Sequence, residues 1–489
     1  MQKKQLSVLV AGAVMALAAN AQAASTYFDS FTPMIGDTVP GSLPETAPYK
    51  LSSPHFSQVN LANRINQNTL APDSNSGNWD MITANETGAD AGRYLFMPFE
   101  TSTGGVQRVD LWDANYNTRT VTIVAPGTQG FVAGDASLWT PWGGYLTAEE
   151  SWGTNSSKGR LFEVTNPTTA GAKGGNFVQR NIIPRVSHEG LSFDKHNNFY
   201  FVDELNGGAI YKYVSAKPNA SNGDEFFNKG QTFVLKVGAG GQFEGNNGPA
   251  ITGASSWVAV TDANGVPTID TFSSMRNLGG GSFALDGRTA ADLPSILGTG
   301  YNRPEDLQLQ TLADGTEFLY FTTTDSDNDG NKANGRGRVY SMKLDTLEVK
   351  LAADNTFIDM ATGAAVGTTW SNPDNLAIDA EGNIYAVEDQ DGGIEDIWFL
   401  KDTDKDGVAD AVGKWASLTT TGAESTGLYF DKNDPNVAYV NVQHPDSGDD
   451  MLIRITANAE IAPVPEPETY AMMLSGLGLV GLMARRRKA

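Results

Sequence analysis

The chain has 489 residues, with 57 Asp and Glu against 34 Lys and Arg, and a formal net charge of −23. That balance argues against a nucleic-acid partner, which as a polyanion would be repelled. Cysteine is absent and only four His occur, so disulfides and thiolate sites are excluded, multi-histidine zinc sites are disfavoured, and oxygen ligands must carry any metal chemistry. Residues 1–23 read as a secretory signal: Lys3 and Lys4, an apolar run from Leu6 to Ala18, then Ala21-Gln22-Ala23 as a small-residue cleavage site. Residues 24–90 hold few periodic runs and read as an irregular lead-in with polar loops.

From Arg93 the pattern becomes strands, at YLFMPFE (94–100), GGVQRVDLW (104–112) and TRTVTIV (118–124), separated by Gly, Asn and Asp turns. The stretch TPWGGYLTAEESWG (140–153) runs a short apolar strand into Glu149 and Glu150, bracketed by Trp142 and Trp152. Similar units recur at 190–214, 306–344, 375–402 and 427–446, each with a short apolar strand, a polar turn, an aromatic-rich strand and an acidic corner. Period-2 alternation without long helical stretches predicts an all-β chain. Repetition of such units predicts a β-propeller, with a β-sandwich array as the competing arrangement and 216–300 as the largest insertion. In a propeller the loops between blades converge on the channel, so acidic corners placed alike would face one another.

The C-terminal end has its own pattern. Val464-Pro465-Glu466-Pro467-Glu468 precedes a short apolar segment, Tyr470 to Ala484, and then Arg485-Arg486-Arg487-Lys488. This resembles a PEP-CTERM sorting tail over 463–489. The resemblance implies a Gram-negative exporter, recognition of Pro465, Glu466 and Pro467 by an exosortase-type enzyme, and release to the periplasm, cell surface or extracellular matrix. The apolar stretch is short for a span of about 20 residues, which suits a transient membrane contact through a short C-terminal helix, with the basic cluster on the cytoplasmic side.

The motifs TPWGGYLTAEE (140–150), SHEGLSFD (187–194), FVDELNGGAIYKY (201–213), RPEDLQL (303–309), NPDNLAID (372–379), EDQDGG (388–393) and ESTGLYFDKNDPNVAYVNVQHP (424–445) stand in an order that resembles the PhoX-like alkaline phosphatases. The resemblance implies a six-bladed propeller over 91–460 whose channel binds iron and calcium for phosphoester hydrolysis. It further implies that Glu149, Glu189 and Glu305 are metal-binding acids and Arg303 a phosphate contact. Glu150, Asp374, Glu388 and Asp389 are further candidate ligands. Arg303, Glu189 and Glu305 are the candidate catalytic residues. One departure matters: the family motif Thr-Cys-Glu-Glu here reads Thr147-Ala148-Glu149-Glu150. A methyl group cannot coordinate iron, so the expectation shifts towards oxygen-only ligation of Ca²⁺, with iron doubtful, or towards lost activity.

Two further segments read as calcium loops, DSDNDG with Asp325, Asp327 and Asp329, and DTDKDGVAD with Asp402, Asp404, Asp406 and Asp410. Neither has Glu at the twelfth loop position, where Arg336 and Gly413 stand. His188 and His444 read as structural rather than as general bases. Two functions follow from the sequence. One is an exported, metal-dependent phosphoester hydrolase. The other is a non-catalytic, calcium-stabilised propeller that binds extracellular polysaccharide or matrix.

Overall fold

A computed structural model describes residues 26–70, 77–153, 156–245, 248–269, 275–279, 282–325, 337–389 and 395–459. The leader, the sorting motif at 465–467, and Asp327 and Asp329 therefore lie outside the described residues.

The described chain is all-β, with a β-propeller-like arrangement of antiparallel sheets. The first sheet holds Thr83–Ala84, Tyr94–Pro98, Val106–Asp110 and Thr120–Val124. The second holds Gly134–Trp139, Tyr145–Glu149, Leu161–Val164 and Phe177–Gln179. A nine-stranded sheet runs from Leu191–Phe193 to Gly253–Ala259 and from Pro304–Thr311 to Glu348–Ala353, its two runs joined only where Gly253 and Ala254 pair with Val349 and Glu348. The next sheet begins at Pro373–Ile378 and the last at Glu424–Phe430. Residues from the first strand of every run line one cavity of about 590 Å³, among them Thr83, Leu138, Phe193, Leu309, Ile378 and Leu428.

Strands buried on both faces explain the nearly continuous apolar runs. In Phe199–Val202, Phe199 and Phe201 pack towards the second sheet, while Tyr200 and Val202 pack towards Leu307, Leu319 and Phe321. Alternate side chains point to opposite faces, so both sides of the strand need apolar residues. Each large apolar cluster is likewise shared by neighbouring sheets, as where Tyr385, Trp415 and Phe430 meet. The recurrent Asp-turn-Tyr grammar has a cause too. Asp194 Oδ1 accepts from the amides of His196 and Asn198 at 2.9 and 2.8 Å, and its Oδ2 accepts from Tyr200 Oη at 3.0 Å. Asp379 repeats this with Glu381, Asn383 and Tyr385. The side chain closes the hairpin and anchors the strand that leaves it.

Two boundaries differ from the sequence expectation. Residues 24–90 are not an irregular lead-in throughout: Tyr49–Leu51 pairs with Ala416–Leu418, and Phe56–Asn63 becomes the outer strand beside Met451–Ala457. Their partners are some 360 to 400 positions away, so no local pattern announces them. The segment 216–300 is not all insertion either, because Gly230–Val237 and Gly253–Ala259 extend the nine-stranded sheet.

Candidate metal centre

The inner strands begin in a common way. A residue in the left-handed region is followed two positions later by an acid: Asn78 and Asp80, Ala133 and Asp135, Arg303 and Glu305, Asn372 and Asp374, Gly422 and Glu424. Glu189 holds the corresponding place at the start of its strand, after Ser187 and His188. Register shifts follow at Gly134/Ser137, Pro304/Leu307 and Pro373/Leu376. A bulge of this kind re-aims the side chain at the strand end. The residue after the acid then ties neighbouring runs together. Asp306 Oδ2 accepts from Leu376 N at 2.9 Å, and Asn375 Oδ1 accepts from Gly427 N at 2.5 Å.

The acids so placed meet. Within each of three groups, ligand oxygens lie within 4.8 Å of one another: Asp80, Asp135 and Glu189; Glu189, Glu204 and Glu305; Asp374, Asp389 and Glu424. Glu150 lies among them, its charge helping to push up the carboxyls of Glu100 and Glu204. Burial, then the charge of neighbouring acids, pushes Asp80, Glu189, Glu204 and Asp374 well above the usual carboxylate range. Glu305 is pushed up to about 7 by burial, an effect that Arg303 partly offsets. So many buried carboxylates require either protons or cations.

Arg303 is the guanidinium inside this ring. Its Nη2 lies 2.5 Å from Glu204 Oε1 and 3.3 Å from Glu305 Oε1, and its Nε is buried with no hydrogen-bond partner among the described residues. The Trp152 ring covers one face, with Cζ 4.6 Å from the ring centroid. His444, read as structural from sequence, places Nε2 3.8 Å from Glu100 Oε2 and 3.9 Å from Glu424 Oε2, and burial lowers its pKa. His188 is a buried core residue against Phe201, its pKa lowered to about 3, chiefly by burial.

Of the expected residues, Arg303, Glu150, Glu189, Glu305, Asp374 and Asp389 come together. Glu149 and Glu388 do not. Glu149 is fully buried on the other side of its strand, where its Oε2 accepts from Arg160 Nε at 2.8 Å and from Arg160 N at 3.0 Å. Glu388 accepts from Ser371 N and Trp398 Nε1, both at 2.7 Å, and so fastens a loop to a strand. Asp80, Glu100, Asp135, Glu204 and Glu424 were not expected. Asp80, Asp135 and Glu424 share with Glu305 and Asp374 a left-handed residue two places before the acid, a backbone feature that the sequence marks only by the proline of Pro304-Glu305 and Pro373-Asp374. Glu204 and Glu100 instead follow strand ends.

The loop acids separate. Asp402, Asp404 and Asp406 group within 4.8 Å, with Asp402 Oδ2 accepting from Gly407 N at 3.0 Å. Asp410 is outside that group; it accepts from Thr403 N at 2.9 Å. Asp325 sits beside the centre, its Oδ1 3.2 Å from Asn302 Nδ2.

The family profile of alkaline phosphatase PhoX matches residues 133–446. The chain belongs to the PhoX alkaline phosphatase family. The PEP-CTERM protein-sorting motif matches residues 463–488. Pseudomonas fluorescens PhoX, solved with vanadate as a transition state analogue, superposes on this chain with a TM-score of 0.56 at 15% identity, covering 87% of this chain and 98% of that one. A virginiamycin B lyase from Staphylococcus aureus aligns over 83% of this chain and 99% of its own at 10% identity, with a TM-score of 0.40. No curated protein matches the sequence.

PhoX proteins depend on metal, and this chain carries clusters of buried and part-buried acidic residues. The donor set is carboxylate oxygen, the kind that hard cations take. Ala148 supplies no ligand: it is fully buried in an apolar cluster with Ala136, Leu161, Val186 and Leu191.

Proposed function

We propose that this protein is an exported phosphoesterase whose carboxylate ring holds hard divalent cations, Ca²⁺ foremost, around the Arg303 guanidinium. The observation that carries the reading is the convergence of Asp80, Asp135, Glu189, Glu305, Asp374 and Glu424 from successive inner strands onto one site containing Arg303. Reading the nine-stranded sheet as two blades gives six radial units, each contributing one of these acids. The leader pattern and the sorting tail support export from a Gram-negative cell and processing by an exosortase-type enzyme near Pro465-Glu466-Pro467.

Cations bound there would neutralise charge on the transferring phosphoryl group. The chain's own residues do the rest. Glu204 and Glu305 fix the guanidinium, leaving the unpaired Nε of Arg303 as a donor to a phosphoryl oxygen. Trp152 covers one face of the guanidinium. Glu189, common to two carboxylate groups, links Asp80 and Asp135 to Glu204 and Glu305.

Ala148 favours a second reading, a calcium-stabilised propeller that binds extracellular polysaccharide without turnover, because the family's thiolate is missing. Hydrolysis of a chromogenic phosphate ester with Ca²⁺, Mg²⁺ or Fe³⁺ added, by wild type and Glu305→Gln, separates the two. Cation-dependent turnover lost in Glu305→Gln supports the phosphoesterase; its absence in wild type leaves the binding protein.

A further inference from the structure

Trp152 is a large aromatic side chain that stays 43% exposed although it lies against the Arg303 guanidinium beside the ring of acids. It is firmly held. Ser151 N donates to Ser187 Oγ at 2.9 Å, and Arg288 Nη1 donates to Ser151 O at 2.7 Å. Arg288 Nη2 also donates to Ser156 O at 3.0 Å. The indole Nε1 donates to Glu150, and one ring face lies on the Arg303 guanidinium. Anchored at its backbone, its indole nitrogen and one face, the ring has its exposure to offer outwards. A rigid, exposed aromatic face beside a polar anchor is a binding feature rather than a packing one.

We propose that the outward face of Trp152 seats a planar ring of the leaving group, so that the site prefers phosphomonoesters carrying a ring one sugar-length from phosphorus, as in a nucleoside 5′-monophosphate. The proposal rests on the phosphoesterase reading of the site. The geometry sets the spacing. The guanidinium carbon is 4.6 Å from the indole centroid on one side. A ring stacked on the other side adds roughly 3.5–4 Å. A phosphoryl group at the guanidinium edge must therefore reach around the indole to that outer layer. A ring joined to phosphorus through a single oxygen is too close to span this, whereas a ribose between phosphate and base supplies the reach. Base stacking on an aromatic side chain tolerates many bases, because every base has a π-face.

The test compares kcat/KM for adenosine 5′-monophosphate and ribose 5-phosphate with the calcium-loaded protein, in wild type, Trp152→Phe and Trp152→Leu. The ratio of the two esters within each variant cancels any disturbance of Arg303. In wild type the nucleotide is favoured by about tenfold, carried mainly by KM. Trp152→Phe keeps part of that preference, and Trp152→Leu brings the ratio close to one. A wild-type ratio near one, or a preference that survives in Trp152→Leu, overturns the proposal. Where neither ester is turned over, the phosphoesterase reading fails on its own account, and calorimetric affinities of the same two ligands decide the platform. Tighter nucleotide binding lost in Trp152→Leu supports it; equal affinities overturn it.

Discussion

Arg160 closes on Glu149 through its Nε, its Nη2 and its own backbone amide, so Glu149 is satisfied within the second sheet and turned away from the channel. Its neighbour Glu150 faces the ring of acids instead. One residue along a strand is one reversal of face. Two adjacent glutamates thus have separate roles.

That division predicts opposite phenotypes. Glu149→Gln leaves the Arg160 guanidinium short of its buried partner and lowers unfolding free energy by about 3 kcal/mol, with cation affinity of the folded protein little changed. Glu150→Gln leaves stability within about 0.5 kcal/mol and weakens Ca²⁺ binding by about tenfold or more. Urea unfolding and calcium titration calorimetry on the two variants read both effects. The reverse pattern would return the ligand role to Glu149.

The pH dependence of the metal-free protein has a definite sign. Burial raises Glu305, Asp306 and Asp203 to about 7. Unfolded carboxyls titrate near 4, so between about 4 and 7 the folded state binds more protons than the unfolded chain. Stability is therefore greatest at the acid end of that window and falls as pH rises through about 7. Calorimetry of chelator-treated protein shows Tm falling from pH 5 to 8. Saturating Ca²⁺ stabilises more as pH rises, because it binds the deprotonated ring. A metal-free Tm that rises over this range contradicts the electrostatics described for the ring.

Gly190 tests the join between runs. A Cβ there would stand 2.2 Å from Leu307 N and 2.6 Å from Asp306 Oδ1. Backbone cannot yield as a flexible side chain does, so Gly190→Ala costs about 3 kcal/mol or more. Gly171→Ala, with nothing within 4 Å of the added methyl, stays within about 0.5 kcal/mol of wild type. Denaturant midpoints of the two variants give the comparison.

Much of the fold was legible because the apolar runs are local. Phe199–Val202 and Glu317–Thr323 declare themselves as strands, and the Asp194 and Asp379 turns repeat in sequence as they do in space. The outer strand Phe56–Asn63 was not legible, since its partner lies at the other end of the chain. The site divides similarly. Arg303-Pro304-Glu305 and Asn372-Pro373-Asp374 carry a visible cue in the proline. Asp80 and Asp135 follow Trp79 and Gly134, and nothing in those residue types distinguishes them from ordinary turn acids. Glu149 and Glu388 look like ligands by position at strand ends, but their direction depends on register against Arg160 and Trp398, which spacing does not reveal.

The central claim is cation-dependent phosphoester hydrolysis around Arg303. Its most direct test is kcat/KM for 4-nitrophenyl phosphate, measured on chelator-stripped protein across a Ca²⁺ titration for wild type and Arg303→Gln. The account predicts no turnover without cation, a saturable rise with Ca²⁺ in wild type, and a loss of about 10²-fold or more in Arg303→Gln. Turnover that persists after stripping, or that Arg303→Gln leaves intact, would contradict it.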